Sequence, residues 1–213
     1  FRFGNSTGYA NNNAFFVSAF NVYLPLGITT YNGNFYSASV NDSIANVTSA
    51  GLTVWNQTSS GIGDGAFDGP TGVAVNSTGY TYVADTGNDR IQILLPNTGG
   101  YSGKFGTQGS GNGQFTTPMG IAIDSSNNIY VADTGNDRIT KHNKDGSFIE
   151  AFSSSGSGNA NVDGPTGVSV FSNSDNIYTA DTGNDKVKKH DTGTRSRSES
   201  LPLTDALTIS VTK

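Results

Sequence analysis

The phrase Ala-Asp-Thr-Gly-Asn-Asp occurs three times, starting at Ala84, Ala132 and Ala180, and its first acids Asp85, Asp133 and Asp181 recur every 48 residues. A fixed period of this size marks a repeat architecture, in which one short unit is folded again and again. The words around each copy recur as well. Pro70-Thr-Gly-Val-Ala-Val75, Pro118-Met-Gly-Ile-Ala-Ile123 and Pro165-Thr-Gly-Val-Ser-Val170 each lead through a tyrosine (Tyr82, Tyr130, Tyr178) into the Asp-Thr-Gly-Asn segment.

Each copy reads as four short strands. Residues 73–75 and their counterparts are small and β-branched, suited to a crowded inner strand. Residues 80–84, 129–132 and 177–180 alternate, the pattern of a half-buried second strand. The Asp-Thr-Gly-Asn segment then turns the chain. Asp and Asn bond their own backbone, and Gly87, Gly135 and Gly183 are expected at positive φ. With Asn88, Asn136 and Asn184 they form the structural turn of each repeat. Third strands follow at residues 90–94, 138–142 and 186–190, and fourth strands at 103–105 and 148–152. No helical period of any length is present.

Four strands per ~48 residues, repeated, is the pattern of an all-β propeller blade. The wording resembles the NHL repeat, whose blades carry a Pro-X-Gly-Ile/Val-Ala-Val-Asp start, a Tyr-Val-Ala-Asp-Thr-Gly-Asn middle and an Arg-Ile end. Residues 118–124 with 129–139 match almost word for word; 70–91 and 165–187 match with Asn76 and Phe171 where Asp124 stands. A degenerate copy precedes them in Pro25-Leu-Gly-Ile28, Phe35-Tyr-Ser-Ala38 and Asn41-Asp-Ser-Ile44, with Ala38 read at the place of the blade acid. The organisation is therefore a closure segment at 1–20, a degenerate blade at 21–66, blades at 67–114, 115–161 and 162–194, and a tail with a strand at 195–213. The resemblance implies about six blades. Four are counted here, read as a small ring, with further blades from outside the sequence or from another chain as the alternative.

The last blade is read as short of a fourth strand, because Arg195-Ser-Arg-Ser-Glu-Ser200 has no apolar face. Two terminal segments are candidates to close the ring: Phe1-Arg-Phe3, which resembles residues 103–105, and the alternating strand carrying Leu207, Ile209 and Val211. Whichever is left over is expected to pair with a sheet edge of another copy, giving a homo-oligomer or polymer. Residues 14–20 are a further strand that the C-terminal segment could cover instead.

Composition narrows the function. Charged residues are 14% of the chain, the net charge is −5, and there is no cysteine. Nucleic acid is not an expected partner, since phosphate neutralisation needs clustered Lys and Arg. The basic runs 186–190 and 195–197 are read as solvated. No apolar run reaches the ~20 residues of a membrane helix. Asn-X-Ser/Thr sequons at Asn5, Asn41, Asn46, Asn56 and Asn76 all fall in the first 76 residues. Together with the polar, low-charge composition they point to an extracellular or cell-surface glycoprotein. A start at Phe1 rather than Met is read as removal of a signal peptide.

Candidate chemistry is sparse. Asp85, Asp133 and Asp181 could ring the channel and hold a cation, but an acid opening every turn is better explained as a turn residue. Asp89, Asp137 and Asp185 are expected to pair weakly with Arg90, Arg138 and Lys186. The NHL resemblance implies metal-dependent lyases among relatives, built on several channel histidines; this chain has two, His142 and His190, both in Lys-His pairs. That carry-over fails, so no catalytic residue, metal or cofactor is expected. Trp55 is assigned to packing rather than sugar stacking. The expected function is a non-enzymatic structural, self-assembling or adhesive propeller, with glycan or ligand binding as the alternative and a lyase or lactonase less favoured.

Overall fold

A computed structural model describes residues 25–152, 155–158, 161–171, 176–191 and 199–202. Within them sixteen strands form four antiparallel sheets of four, each in simple up-and-down order. The first blade is β1 (Pro25–Tyr31), β2 (Asn34–Ser39), β3 (Ser43–Thr48) and β4 (Thr53–Gln57). The second is β5 (Gly72–Val75), β6 (Thr81–Asp85), β7 (Arg90–Leu94) and β8 (Tyr101–Phe105). The third is β9 (Pro118–Ile123), β10 (Ile129–Asp133), β11 (Arg138–His142) and β12 (Phe148–Phe152). The fourth is β13 (Pro165–Val170), β14 (Asn176–Asp181), β15 (Lys186–Asp191) and β16 (Glu199–Pro202). The four-blade propeller expected from the repeat is the observed arrangement.

Two readings of the strands change. The last blade borrows nothing, because Glu199–Pro202 pairs antiparallel with β15, Val187 opposite Leu201. Backbone hydrogen bonding completes that sheet where an apolar face was missing. Phe1, Phe3, Leu207, Ile209 and Val211, and residues 14–20, lie outside the described residues. In the degenerate blade Ala38 faces Ile44 and Ser39 faces Ser43, as Ala84 faces Ile91 and Asp85 faces Arg90 in the second blade. Ser39, not Ala38, therefore stands at the acid's place, because the turn before β3 is one residue shorter.

The hydrophobic core lies between blades rather than within them. Tyr36, Ala38, Ile44 and Trp55 of the first blade pack on Val73 and Val83 of the second. Ala74, Tyr82, Ala84 and Ile91 then meet Ile121 and Val131, and Tyr130, Ala132 and Ile139 meet Ile177 and Val168. The strands β6 and β10 are consequently buried on both faces, not half-buried as their alternation suggested. In the fourth blade β14 does alternate between buried and more open positions, because one of its faces has no neighbouring blade among the described residues.

Around the axis the inner strands pack in the order β1, β5, β9, β13. The Pro-X-Gly glycine is what lets them approach. A Cβ on Gly27 would collide with the Thr71 carbonyl, one on Gly72 with the Met119 carbonyl, and one on Gly120 would lie 2.8 Å from the Thr166 carbonyl oxygen. Gly167 breaks the series: a Cβ there meets only Ala180 of its own blade, at 3.3 Å. The contact that would close four blades into a ring is absent among the described residues.

Candidate functional site

The recurring acid is the hub of a buried knot. Asp85, Asp133 and Asp181 are fully buried, each at the end of a second strand. Asp85 accepts hydrogen bonds from the Asp68 amide (2.8 Å), from Asn88 Nδ2, from Arg90 Nε (2.7 Å) and from Gln92 Nε2 (2.9 Å). Asp133 is served by the Thr116 amide, Asn136 and Arg138, and Asp181 by the Asp163 amide, Asn184 and Lys188. Each asparagine also donates onward, to the carbonyls of Gly61, Gly109 and Gly156. The knot therefore ties the turn to the link that leads into the same blade's inner strand.

The cations differ from expectation. Arg90 and Arg138 pair with Asp85 and Asp133, not with the adjacent Asp89 and Asp137. Their remaining guanidinium nitrogens donate to link carbonyls, Arg138 to Ser110, Gly111 and Gln114. In the fourth blade the partner is Lys188, not Lys186; its ammonium lies 2.8 Å from Asp181 and donates to the carbonyls of Gly158 and Asn161. Lys188 is 1% exposed and His190 is buried too, so the run 186–190 is not a solvated strand. Burial pushes the Asp133 carboxyl above the usual carboxylate range despite Arg138. Burial pushes Asp181 up as well, but Lys188, the Asp163 amide and Asn184 together hold it below that range.

The turns Thr86–Asn88, Thr134–Asn136 and Thr182–Asn184 are single turns of 3-10 helix, in which Gly87, Gly135 and Gly183 are not at positive φ. The left-handed position is taken by the next residue, Asp89, Asp137 or Asp185, at φ 51°, 52° and 51°. Aspartate tolerates that region because its short carboxylate can bond locally. Glycine is required for a different reason: a Cβ on Gly87 would stand 2.6 Å from the Asp68 side chain, and one on Gly135 2.7 Å from that of Thr116.

These left-handed acids hold one blade to the next. Asp42 accepts the Gly69 amide (2.7 Å), Asp89 the Thr117 amide (2.7 Å) and Asp137 the Gly164 amide (2.8 Å). Thr86 and Thr134 add hydroxyl bonds to the carbonyls of Pro118 and Pro165, each 2.7 Å. The sequence held the signal: Asn-Asp survives as Asn41-Asp42 in the degenerate blade, where the hub acid is lost. There Ser39 Oγ is buried without a hydrogen-bond partner.

Within the four blades lies a cavity of about 490 Å³, lined by the first residues of the inner strands, among them Leu26, Thr71, Met119 and Thr166. Its wall is aliphatic and hydroxyl. The hub acids do not line it, and among the described residues no three His, Asp or Glu side chains gather as a metal-binding group. His142 stands away from it, fully buried on β11 against the rings of Phe105, Phe115 and Phe148. The Gly146 carbonyl can only accept, so Nδ1 carries the proton and Nε2 takes the Thr140 hydroxyl. Burial lowers its pKa from 6.5 to about 4. Trp55 packs edge-on to Tyr36 and donates to the Pro96 carbonyl of the second blade.

The sequons divide by exposure. Asn41 and Asn56 are exposed. Asn46 and Asn76 are buried, and Asn76 accepts from the amides of Thr78 and Tyr80 while its amide group reaches the Tyr82 hydroxyl. A glycan on either would displace the fold around it, so these two are withdrawn as acceptors. Asn5 lies outside the described residues. Among the described residues no helix is long and apolar enough to cross a membrane.

No curated protein matches the chain. Among solved structures it resembles a streptogramin B lyase at 18% identity and TM-score 0.62, covering 88% of this chain and 57% of that one. A catalytically inactive histidine-to-alanine variant of virginiamycin B lyase from Staphylococcus aureus, with quinupristin, gives 17%, 0.62, 85% and 56%. U3-55K gives 14%, 0.68, 87% and 54%. The chain thus spans a little over half the length of these structures, and the likeness is one of fold. Residues 73–212 match the model of DUF5128, described as a 6-bladed β-propeller. The match takes in more than half of the chain, which therefore belongs to that 6-bladed β-propeller family.

Proposed function

We propose that the chain is a non-enzymatic propeller module of the NHL-repeat type, extracellular or at the cell surface, that serves as a structural or adhesive, self-assembling unit. The observation that carries this is where the reactive side chains go. The acids and cations that could do chemistry are spent in the turn knots, while the cavity wall is aliphatic and hydroxyl. The polar, low-charge composition and the exposed sequons Asn41 and Asn56 support the location.

Two measurements test the reading. Intact cells treated with a membrane-impermeant amine reagent should yield tagged protein; tagging only after lysis overturns the location. Purified protein should leave the mass and chromatographic retention of added quinupristin unchanged, and turnover that survives repurification overturns the non-enzymatic assignment. A small apolar ligand is a second reading, favoured by the size of the cavity. Replacing Met119 by Arg should then abolish its retention.

A further inference from the structure

Where a link enters an inner strand, one junction carries a residue unsuited to it. Gly69, Thr117 and Gly164 stand at the same place, each just before the proline that leads into the inner strand. All three lie in left-handed backbone, at φ 53°, 47° and 52°. Glycine enters that region freely. Threonine, branched at Cβ, does not. The proline that follows adds to the conflict, because its ring carbon Cδ crowds the preceding amide and Cβ and drives that residue toward extended backbone. Of these three junctions, the one at Thr117 is strained.

The strain is held from three sides. The Thr117 amide donates to Asp89 Oδ1 of the second blade, at 2.7 Å. Upstream, Thr116 is tied to the knot of its own blade: its amide donates to Asp133 and its carbonyl accepts the Gly135 amide, both at 2.8 Å. Downstream, the carbonyls of Pro118 and Met119 accept the hydroxyls of Thr86 (2.7 Å) and Thr71 (3.0 Å), both from the second blade. Thr117 itself is exposed, which leaves its side chain room to swing. Backbone strain over-determined by its surroundings in this way collects at clamps and switches.

We propose that Thr117 is a two-state latch between the second and third blades. In the latched state Asp89 holds Thr117 left-handed. In the released state Thr117 turns to extended backbone, its N–H leaves Asp89, and the entry of β9 shifts with Pro118 and Met119. Met119 lines the cavity within the blades, so release reshapes the cavity wall. Gly69 and Gly164 make the same bond to Asp42 and Asp137 with no strain to release, and those junctions stay latched. An occupant of the cavity that packs on Met119 better in one state than in the other shifts the balance by that difference in affinity. The latch goes beyond the proposed function and stands whether the protein is structural or holds a ligand.

Met119 is the only methionine of the chain, so an isotope-labelled methionine methyl gives one reporter on the cavity wall. Relaxation-dispersion NMR reads exchange between states on the microsecond-to-millisecond scale. The parent is expected to show such exchange at the Met119 methyl and at the Thr117 amide. Thr117→Gly removes the strain and should abolish the exchange at Met119, leaving its signal near the latched position. Asp89→Ala removes the catch and should move the Met119 signal toward the released state, by the shift difference that the dispersion of the parent gives. Circular dichroism establishes that each variant folds, and should Asp89→Ala fail to fold, the comparison of the parent with Thr117→Gly decides alone. A parent without exchange at Met119 overturns the proposal, as does exchange that persists in Thr117→Gly, or a Met119 signal that a folded Asp89→Ala variant leaves in place.

Discussion

At the scale of single residues, the turn phrase was legible and its physical reason was not. Asp-Thr-Gly-Asn announces a turn, but the crowding that demands glycine comes from a link 19 residues upstream, and the left-handed position belongs to the following aspartate. Gly135→Ala is therefore expected to destabilise by ~1–3 kcal/mol through overpacking against Thr116, read from urea unfolding. A variant as stable as the parent would show that the link can yield. His142 gives a pH signature. The unfolded imidazole takes up its proton near 6.5, the folded one only near 4. Between these values the unfolded state binds more protons, so stability rises with pH across that window, is complete above it and declines as the pH falls toward 4. At about 1.4 kcal/mol per pH unit the loss is about 3 kcal/mol. Asp133, held above the carboxylate range, has the opposite sign, its contribution being lost as pH rises. Melting curves of the parent and His142→Phe from pH 7 to 4.5 separate the two, the variant losing the histidine slope.

At the scale of elements, the inner three strands of each blade were readable from the repeated phrases and turn spacing, whereas β16 was missed because it has no apolar face; what covers the strands was not readable. A second strand such as β6 reads as half-buried, yet Thr81 and Asp85 at its polar ends are buried with the rest because a blade flanks each face. The fourth blade hid its cation in a run that looks solvated. An ammonium two positions along β15 reaches the carbonyls of Gly158 and Asn161, which answer to those of Gly111 and Gln114 that the Arg138 fork reaches in the third blade. Lys188→Met should cost ~3–5 kcal/mol, since it strands a buried carboxylate, and the double variant with Asp181→Asn should recover part of that. If chemical denaturation shows the single variant within error of the parent, water reaches Asp181.

At the scale of the whole molecule, stability should be graded. A repeat contacts only its neighbours, and among the described residues the two middle blades are packed on both sides while the outer two are packed on one. Hydrogen exchange is expected to be slowest in β6, β7, β10 and β11 and faster in the corresponding strands of the first and fourth blades. Uniform protection across the four sheets would mean that the outer faces are covered. The sequence announced four blades and their order, because both follow from the period; the small ring read from them is not closed among the described residues, since closure depends on the inclination of one blade to the next. The glycine contacts at the axis have a consequence for divergence. Backbone meets backbone there, through Gly27, Gly72 and Gly120, and the residue before each glycine is Leu26, Thr71 or Met119 in turn. The cavity lining can drift by substitution while the scaffold that holds it stays fixed, so a lineage can sample new specificities here without passing through misfolded ancestors.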